Sequence, residues 1–451
     1  MAATEIVRRV MFERKWSEKM EWTIRNPRHI SPYLLCSALL FVSNLGFPPA
    51  VQYTTRAMGI AVTWFCLLYC GRGSLKVKSI RHEPTLMIVL YLGICTLSCF
   101  WSVSPFQSAM KVLELFTDFM LLERMARDKD WETMARRTMD LYMMLSLVML
   151  AISLAGFFVA PKYFANRGYM AKRSLLGVRL AEGFLGANKS SALAAMSICW
   201  LVLLRPWHGW RSAAAIGVCL IVMFLSQSRA SLVLLPVIVA FRFFKYREKY
   251  RILYILAGFA VLGFLVLRMS TVIAYLMRGQ TTDALLSGTG RTTIWSYALA
   301  YIKRRPFLGY GFGAGGELAA NQFHGVATVH SGIFETLLGT GIVGLVILSF
   351  QCFYVIRIVG TNIIRQGLRA NFFDAIFVMY FVIRSVTSLG VANWHSPELL
   401  IWWLFMFAIR EGKGIQRIYT EANARAMEAR AVPECPAWIK TGLKGGVKES
   451  G

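Results

Sequence analysis

Acidic residues are scarce in this 451-residue chain. Asp and Glu number 24 against 50 Lys and Arg, a net charge of +26. Histidine is scarcer still, at six. No HExxH, GxSxG or Walker pattern stands out, so neither a metal nor a nucleotide cofactor is expected. The cysteines show no CxxC pair and no Cys/His cluster at metal spacing. Cys66/Cys70 and Cys95/Cys99 stack at i,i+4, as small helix-packing residues do. The first 30 residues are basic and polar, with no apolar leader and no small-residue cleavage site, so a cleaved signal peptide is not expected.

What the chain has in abundance is apolar sequence. Hydrophobic residues make up 56%, above the ~45–50% of soluble domains, and the mean hydropathy is +0.50. Runs near the ~20 residues that cross a hydrocarbon core recur along its length. The expectation is an all-α polytopic membrane protein. About twelve spans are expected, near 32–49, 55–71, 85–102, 106–123, 140–160, 184–204, 212–228, 229–245, 252–270, 331–357, 372–391 and 396–410. Cations fall in alternate loops: Arg72 to Arg81, Arg124 to Arg137, Lys245 to Arg251, Arg365 and Arg369. That alternation sets both termini on the cytoplasmic side. The cation surplus therefore reads as membrane topology with contacts to membrane lipids, not as a nucleic-acid surface.

The expected organisation is a basic cytoplasmic N-terminus (1–31), a membrane domain (32–410) and a loosely structured cytoplasmic tail (411–451). Two outer loops stand apart. Loop 161–183 carries five cations against Glu182, which suits an anionic substrate. Loop 271–330 is the longest. Its WSYALAYIKRRPFLGYGFG reads as a short amphipathic helix followed by a glycine-rich turn. In the fourth span Lys111, Glu114 and Asp118 lie on one helical stripe, either an internal ion pair or a polar lining.

Three charged residues at outer helix ends carry the chemistry. Arg229 follows Ser226-Gln227-Ser228 and offers a guanidinium fork to phosphate oxygens; a snorkelling arginine is the structural alternative. Arg291 follows Ser287-Gly288-Thr289-Gly290, whose amides could meet an anion. Taken alone, it is also an ordinary helix start. His330 opens a glycine-rich span and is the natural general base, with Glu335 five residues on to orient it or bind an acceptor hydroxyl. A capping or solvated histidine is the competing reading. Arg384, and His395 with Glu398, are lesser candidates.

As a set the motifs look familiar. FWSVSP (100–105), GANKSSALAAM (186–196), SQSRASLVLLP (226–236), SGTGRTTIW through RRPFLGYGFG (287–313) and HSGIFETLLGTGIVGL (330–345) occur in that order. Together they resemble the O-antigen ligase/polymerase superfamily of bacterial membrane glycosyltransferases, over roughly residues 85–400. The resemblance implies a GT-C-type bundle of about twelve helices in the inner membrane, with a large periplasmic loop between spans nine and ten. It implies an undecaprenyl-diphosphate-linked glycan donor, a glycan or lipid A core acceptor, and transfer without a metal. The family's two essential arginines fall on Arg229 and Arg291, and its catalytic histidine on His330. Two positions depart from the pattern. Ser331 stands where Asn usually follows the histidine, and Ala187-Asn188-Lys189 replaces a His-Lys-Asn run, leaving Lys189 as an accessory candidate. Both departures touch the acceptor side. The look of the first two motifs leans towards an exopolysaccharide or O-antigen polymerase, with an O-antigen ligase close behind. A lipid-linked-sugar flippase or transporter is a more distant alternative, because carriers usually show two related halves and midplane groups.

Overall fold

The computed structural model describes residues 32–43, 49–69, 83–127, 131–166, 179–180, 186–204, 209–228, 231, 238, 291–322, 329–387, 397–409 and 414–431. These are overwhelmingly helical. Along the chain run α1 (Pro32–Ser43), α2 (Pro49–Tyr69), α3 (Glu83–Leu97), α4 (Pro105–Met125), α5 (Trp131–Val159), α6 (Gly186–Cys199) and α7 (Trp210–Ser226). After them come α8 (Arg291–Arg304), α9 (Gly315–Gln322), α10 (Gly332–Gln366), α11 (Phe372–Thr387), α12 (Pro397–Ile409) and α13 (Ile415–Ala431). The exception among the described residues is a two-residue antiparallel ladder in the 161–183 loop, pairing Ala165 with Leu180 and Asn166 with Arg179.

Four helices are long and apolar enough to cross a membrane: Glu83–Trp101, Trp131–Val159, Ala187–Leu204 and Gly332–Gln366. Pro32–Val42, Trp210–Ser226 and Glu398–Ile409 are apolar but shorter. Apart from Ser231 and Ile238, the spans expected at 229–245 and 252–270 lie outside the described residues. The start of α5 differs from expectation: Arg136 and Arg137, assigned to a loop, are already helical. A 29-residue helix is about 43 Å long, so it outruns a ~30 Å hydrocarbon core and carries its cations beyond it.

At the centre stands α12. Every residue from Leu399 to Ile409 is essentially fully buried, Trp402 and Trp403 included. A helix that is apolar all round belongs inside a bundle, and this one packs against α4, α5 and α10. Phe377 and Phe405 stack at 4.9 Å, and Phe381 meets Trp402 at 5.4 Å.

The tail expected to be loose contains α13. Ile415, Ile418 and Tyr419 recur at i, i+3 and i+4, form one stripe and are buried. Tyr419 Oη donates to Asp140 Oδ1 on α5 at 2.6 Å, and Trp200 Nε1 reaches the same oxygen at 3.1 Å. Gln416 accepts from the Phe373 amide and donates to the Arg369 carbonyl. Charge and proline counts concealed this stripe.

Candidate active site

Helix α10 is broken where it matters. Gly341 has φ 68 and ψ −163, a conformation essentially limited to glycine. A continuous helix would bond the Ile342 amide to Leu338 and the Val343 amide to Gly339. Instead, Ile342 N donates to the Pro306 carbonyl at 2.8 Å and Val343 N to Phe307 at 3.4 Å. The vacated carbonyls accept from the loop: Tyr310 N to Leu338 O at 2.6 Å and Gly311 N to Gly339 O at 2.9 Å. The loop backbone thus substitutes for one helical turn. Buried backbone groups freed by a helix break need such replacement partners.

The 98–108 turn clasps the loop from the other side. Val103 N donates to Tyr310 O at 2.9 Å, Phe312 N to Ser98 Oγ at 2.9 Å, and Trp101 Nε1 to Leu308 O at 3.0 Å. Ser108 Oγ donates to Phe312 O and Lys111 Nζ to Gly313 O, each at 2.8 Å. Gly311, at φ 107, lies directly against Ser102 and has no room for a Cβ. FWSVSP, GYGFG and GTGIVG, far apart in sequence, form one interlocked unit.

That unit carries His330 and Arg291. Trp295 on α8 stacks on Phe334 of α10 at 5.6 Å, and its Nε1 donates to the Val329 carbonyl at 3.0 Å. This brings the start of α8, where Arg291 sits, beside His330. Partial burial, then the Arg291 guanidinium, push the imidazole below its ordinary value. The positive end of α10 acts in the same direction. A neutral imidazole at neutral pH is the form that accepts a proton. His330 itself is left-handed, at φ 53, a conformation that is uncommon for a non-glycine residue and that clusters at functional sites.

Behind His330 lies a buried charged cluster. Glu335 is 4% exposed and packs on Gly315, where an added Cβ would stand 2.7 Å from Oε2. The Gly316 and Val329 backbone and the Lys111 ammonium are its polar neighbours. Lys111 is also within electrostatic reach of Glu317, Glu114 and Arg56. Ser104 Oγ donates to Glu317, and Arg56 Nη1 pairs with Glu114 Oε1 at 3.6 Å. Further round, Arg384 Nη2 meets Glu398 Oε1 at 2.7 Å in a buried pair. Lys189 faces Glu398, Arg56 and Arg384. The cluster is thus contiguous, drawing a charge from each of α2, α4, α6, α9, α10, α11 and α12.

Of the residues singled out in the sequence, the structure groups Arg291 with His330, Glu335 with Lys111, and Lys189 with Arg384 and Glu398. Arg229 and His395 lie outside the described residues. Their neighbours are informative: Gln227 and Ser228 are buried, and Ser231 Oγ lies 3.4 Å from Tyr380 Oη, one helical turn from Arg384. Arg56 and Glu317 escaped the sequence reading. Arg56 is the lone cation seven residues into α2, and Glu317 sits in the first turn of the short α9. The one available signal was that each is an isolated charge with no oppositely charged residue nearby in sequence.

Residues 213–349 match the family model described as O-antigen ligase. This supports the O-antigen ligase/polymerase superfamily. The match takes in α7, the 229 segment, α8, the inserted loop and the start of α10, and so contains Arg229, Arg291, His330 and Glu335. The family match leaves Arg56, Lys111, Lys189, Arg384 and Glu398 outside it. No curated protein matches the chain.

Proposed function

We propose that this protein is a membrane glycosyltransferase that moves undecaprenyl-diphosphate-linked glycans at the periplasmic face of the bacterial inner membrane, acting as a surface-polysaccharide polymerase. The observation that carries this reading is the pairing of a proton-accepting His330 with Arg291 on one locked backbone unit, inside the stretch that matches the O-antigen ligase family. A polytopic arrangement of about twelve spans with both termini cytoplasmic fits the alternating loop cations. In that arrangement Arg56, Lys111, Lys189, Arg291, His330, Arg384 and Glu398 all fall at outer helix ends.

The chemistry needs two things. The acceptor hydroxyl gives up a proton as its oxygen attacks the anomeric carbon. The bond from that carbon to the diphosphate oxygen breaks, and the electron pair leaves with undecaprenyl diphosphate. His330 takes the proton. Arg229 and Arg291 stabilise the charge growing on the diphosphate, the role a divalent cation plays in many soluble enzymes. One in-line displacement inverts the anomeric configuration. The depressed basicity of His330 keeps it available as a base, and fixed cations need no reorganisation during the reaction.

The test is transfer in vitro, in EDTA, from a lipid-linked repeat unit, with and without a lipid A core acceptor, comparing wild type with His330→Ala and Arg291→Ala. Longer glycans on lipid alone, lost in both variants, establish the polymerase. Product formed only with the core acceptor makes it a ligase. A trapped covalent glycosyl-enzyme sinks the single displacement. Equal behaviour of wild type and variants removes the site and favours a carrier.

A further inference from the structure

The end of the inserted loop and the first turn of α9 bring two carboxylates and an ammonium to one place. Lys111 Nζ donates to the Gly313 carbonyl at 2.8 Å and stands 2.8 Å from where a Gly313 Cβ would be. Two residues on, the position of a Gly315 Cβ lies 2.7 Å from Glu335 Oε2 and 2.9 Å from Oε1. Two residues further, Glu317 takes a hydrogen bond from Ser104 Oγ. All three side chains therefore meet within the backbone stretch Gly313–Glu317.

Both oxygens of Glu335 and Oε1 of Glu317 are buried with no hydrogen-bond partner among the described residues. The Gly316 and Val329 backbone runs alongside Glu335 without closing a hydrogen bond to it. Glu335 is buried and Glu317 half-buried, so the cluster reaches the surface at the first turn of α9. Buried polar atoms are normally satisfied, and an ionised carboxylate only accepts hydrogen bonds. Lys111 already offsets charge here. What the carboxylates lack is donors, not a counter-charge. A neutral group rich in hydroxyls supplies donors without adding charge, whereas a diphosphate or a uronate would meet like charge.

We infer that Glu335 and Glu317 form a subsite for the acceptor sugar, a neutral ring whose hydroxyls beside the reacting one donate to their oxygens. Ser104 fixes the Glu317 carboxylate. His330 precedes Glu335 by five residues, about 7 Å along a helix axis, so a single ring can offer one hydroxyl to the histidine and others to the carboxylates. The inference deepens the glycosyltransferase reading and rests on it for the source of the sugar.

The full chain in detergent is titrated with the repeat-unit oligosaccharide, freed from its lipid by mild acid. The control is the same oligosaccharide per-O-methylated, which keeps the rings and loses the hydroxyl donors. Wild type should bind the first and not the second. Glu335→Gln and Glu317→Gln should each weaken binding about tenfold or more, the worth of one hydrogen bond to a charged group. Undecaprenyl diphosphate without sugar should bind both variants as it binds wild type. In the transfer assay the same variants should raise the acceptor KM and leave the donor KM, a split that a loosened fold would not give. Where Glu335→Gln melts early, Glu317→Gln decides, because it lies at the half-buried rim and glutamine can still accept from Ser104. No saccharide binding by wild type, equal binding of the methylated sugar, or a saccharide affinity and acceptor KM unchanged in the variants overturns the subsite. A protein that gives such a result while still transferring glycan keeps its transferase function. One that binds the saccharide through these carboxylates and transfers nothing keeps the subsite and loses the transferase reading.

Discussion

Replacing Gly341 with alanine tests the broken helix directly. The residue sits at φ 68, ψ −163, where a non-glycine residue costs of order 1–3 kcal/mol. The added methyl would also overlap the Phe307 carbonyl, which is backbone and cannot swing aside. Relief requires either a continuous helix or a lifted loop. Both discard exchanged hydrogen bonds: Ile342 to Pro306, Val343 to Phe307, Tyr310 to Leu338 and Gly311 to Gly339. Closing the helix would restore two of them internally and leave the loop's own groups unmet. Losing two at about 0.5–1.5 kcal/mol each and adding the strain gives about 2–6 kcal/mol. Gly360 is the matched control, since it lies in the same helix with open space around its missing Cβ. There alanine should be neutral or stabilising by up to ~1 kcal/mol. Unfolding in mixed micelles, followed by tryptophan fluorescence, reports both variants, and limited proteolysis near residues 305–313 reports the loop. If Gly341→Ala unfolds with Gly360→Ala and the loop stays protected, the exchange of helix and loop bonds is not what holds this region.

Arg291→Ala should reduce transfer by about 10²–10³-fold, as loss of a transition-state donor does, with far-ultraviolet circular dichroism unchanged. The rate of the wild type should fall with acid through an inflection below the ordinary histidine value of 6.5, because burial and Arg291 disfavour the imidazolium. The sign for stability follows: the unfolded chain takes up the His330 proton first, so this group's contribution is present above pH 6.5 and declines as pH falls below it. An inflection above that pH, or one that survives His330→Gln, refutes the assignment. Arg384→Met should destabilise by roughly 3–5 kcal/mol, because it leaves the Glu398 carboxylate buried without its partner. The double variant with Glu398→Leu should recover most of that loss in the same micelle unfolding assay.

Hydropathy made most helix positions legible, since apolar runs such as 331–357 and 396–410 reappear within α10 and as α12. Arg291 and His330 could be singled out in the sequence as charges at helix starts, but their proximity depends on Trp295 reaching Val329 and Phe334. Three features were not legible. The 35-residue reach of α10 and its break at Gly341 depend on a loop thirty residues upstream, and no local pattern encodes a hydrogen bond exchanged across that distance. The glycines of GTGIVG carry no local mark of this exchange, although Gly339 packs on the loop at Gly311 and Phe312 and Gly341 takes the break itself. The α13 stripe was outweighed by the charges on its other faces. Arg56 failed for a simpler reason: a cation near a membrane edge is unremarkable until a second helix brings Glu114 to meet it.

The bundle has a large apolar core, but Ala298, Ile302, Tyr310, Ala314, Val329 and Leu338 form a second, smaller one. Those residues come from α8, the inserted loop and the first turns of α10, the same pieces that carry Arg291 and His330. With two helical bonds exchanged at Gly341, the angular phase of residues 332–340 is set by the loop, not by the long helix that follows. The mutual placement of Arg291 and His330 is therefore set within this smaller core. A rotation or one-residue insertion beyond Val343 should alter packing in the bundle while leaving Arg291 and His330 in mutual register.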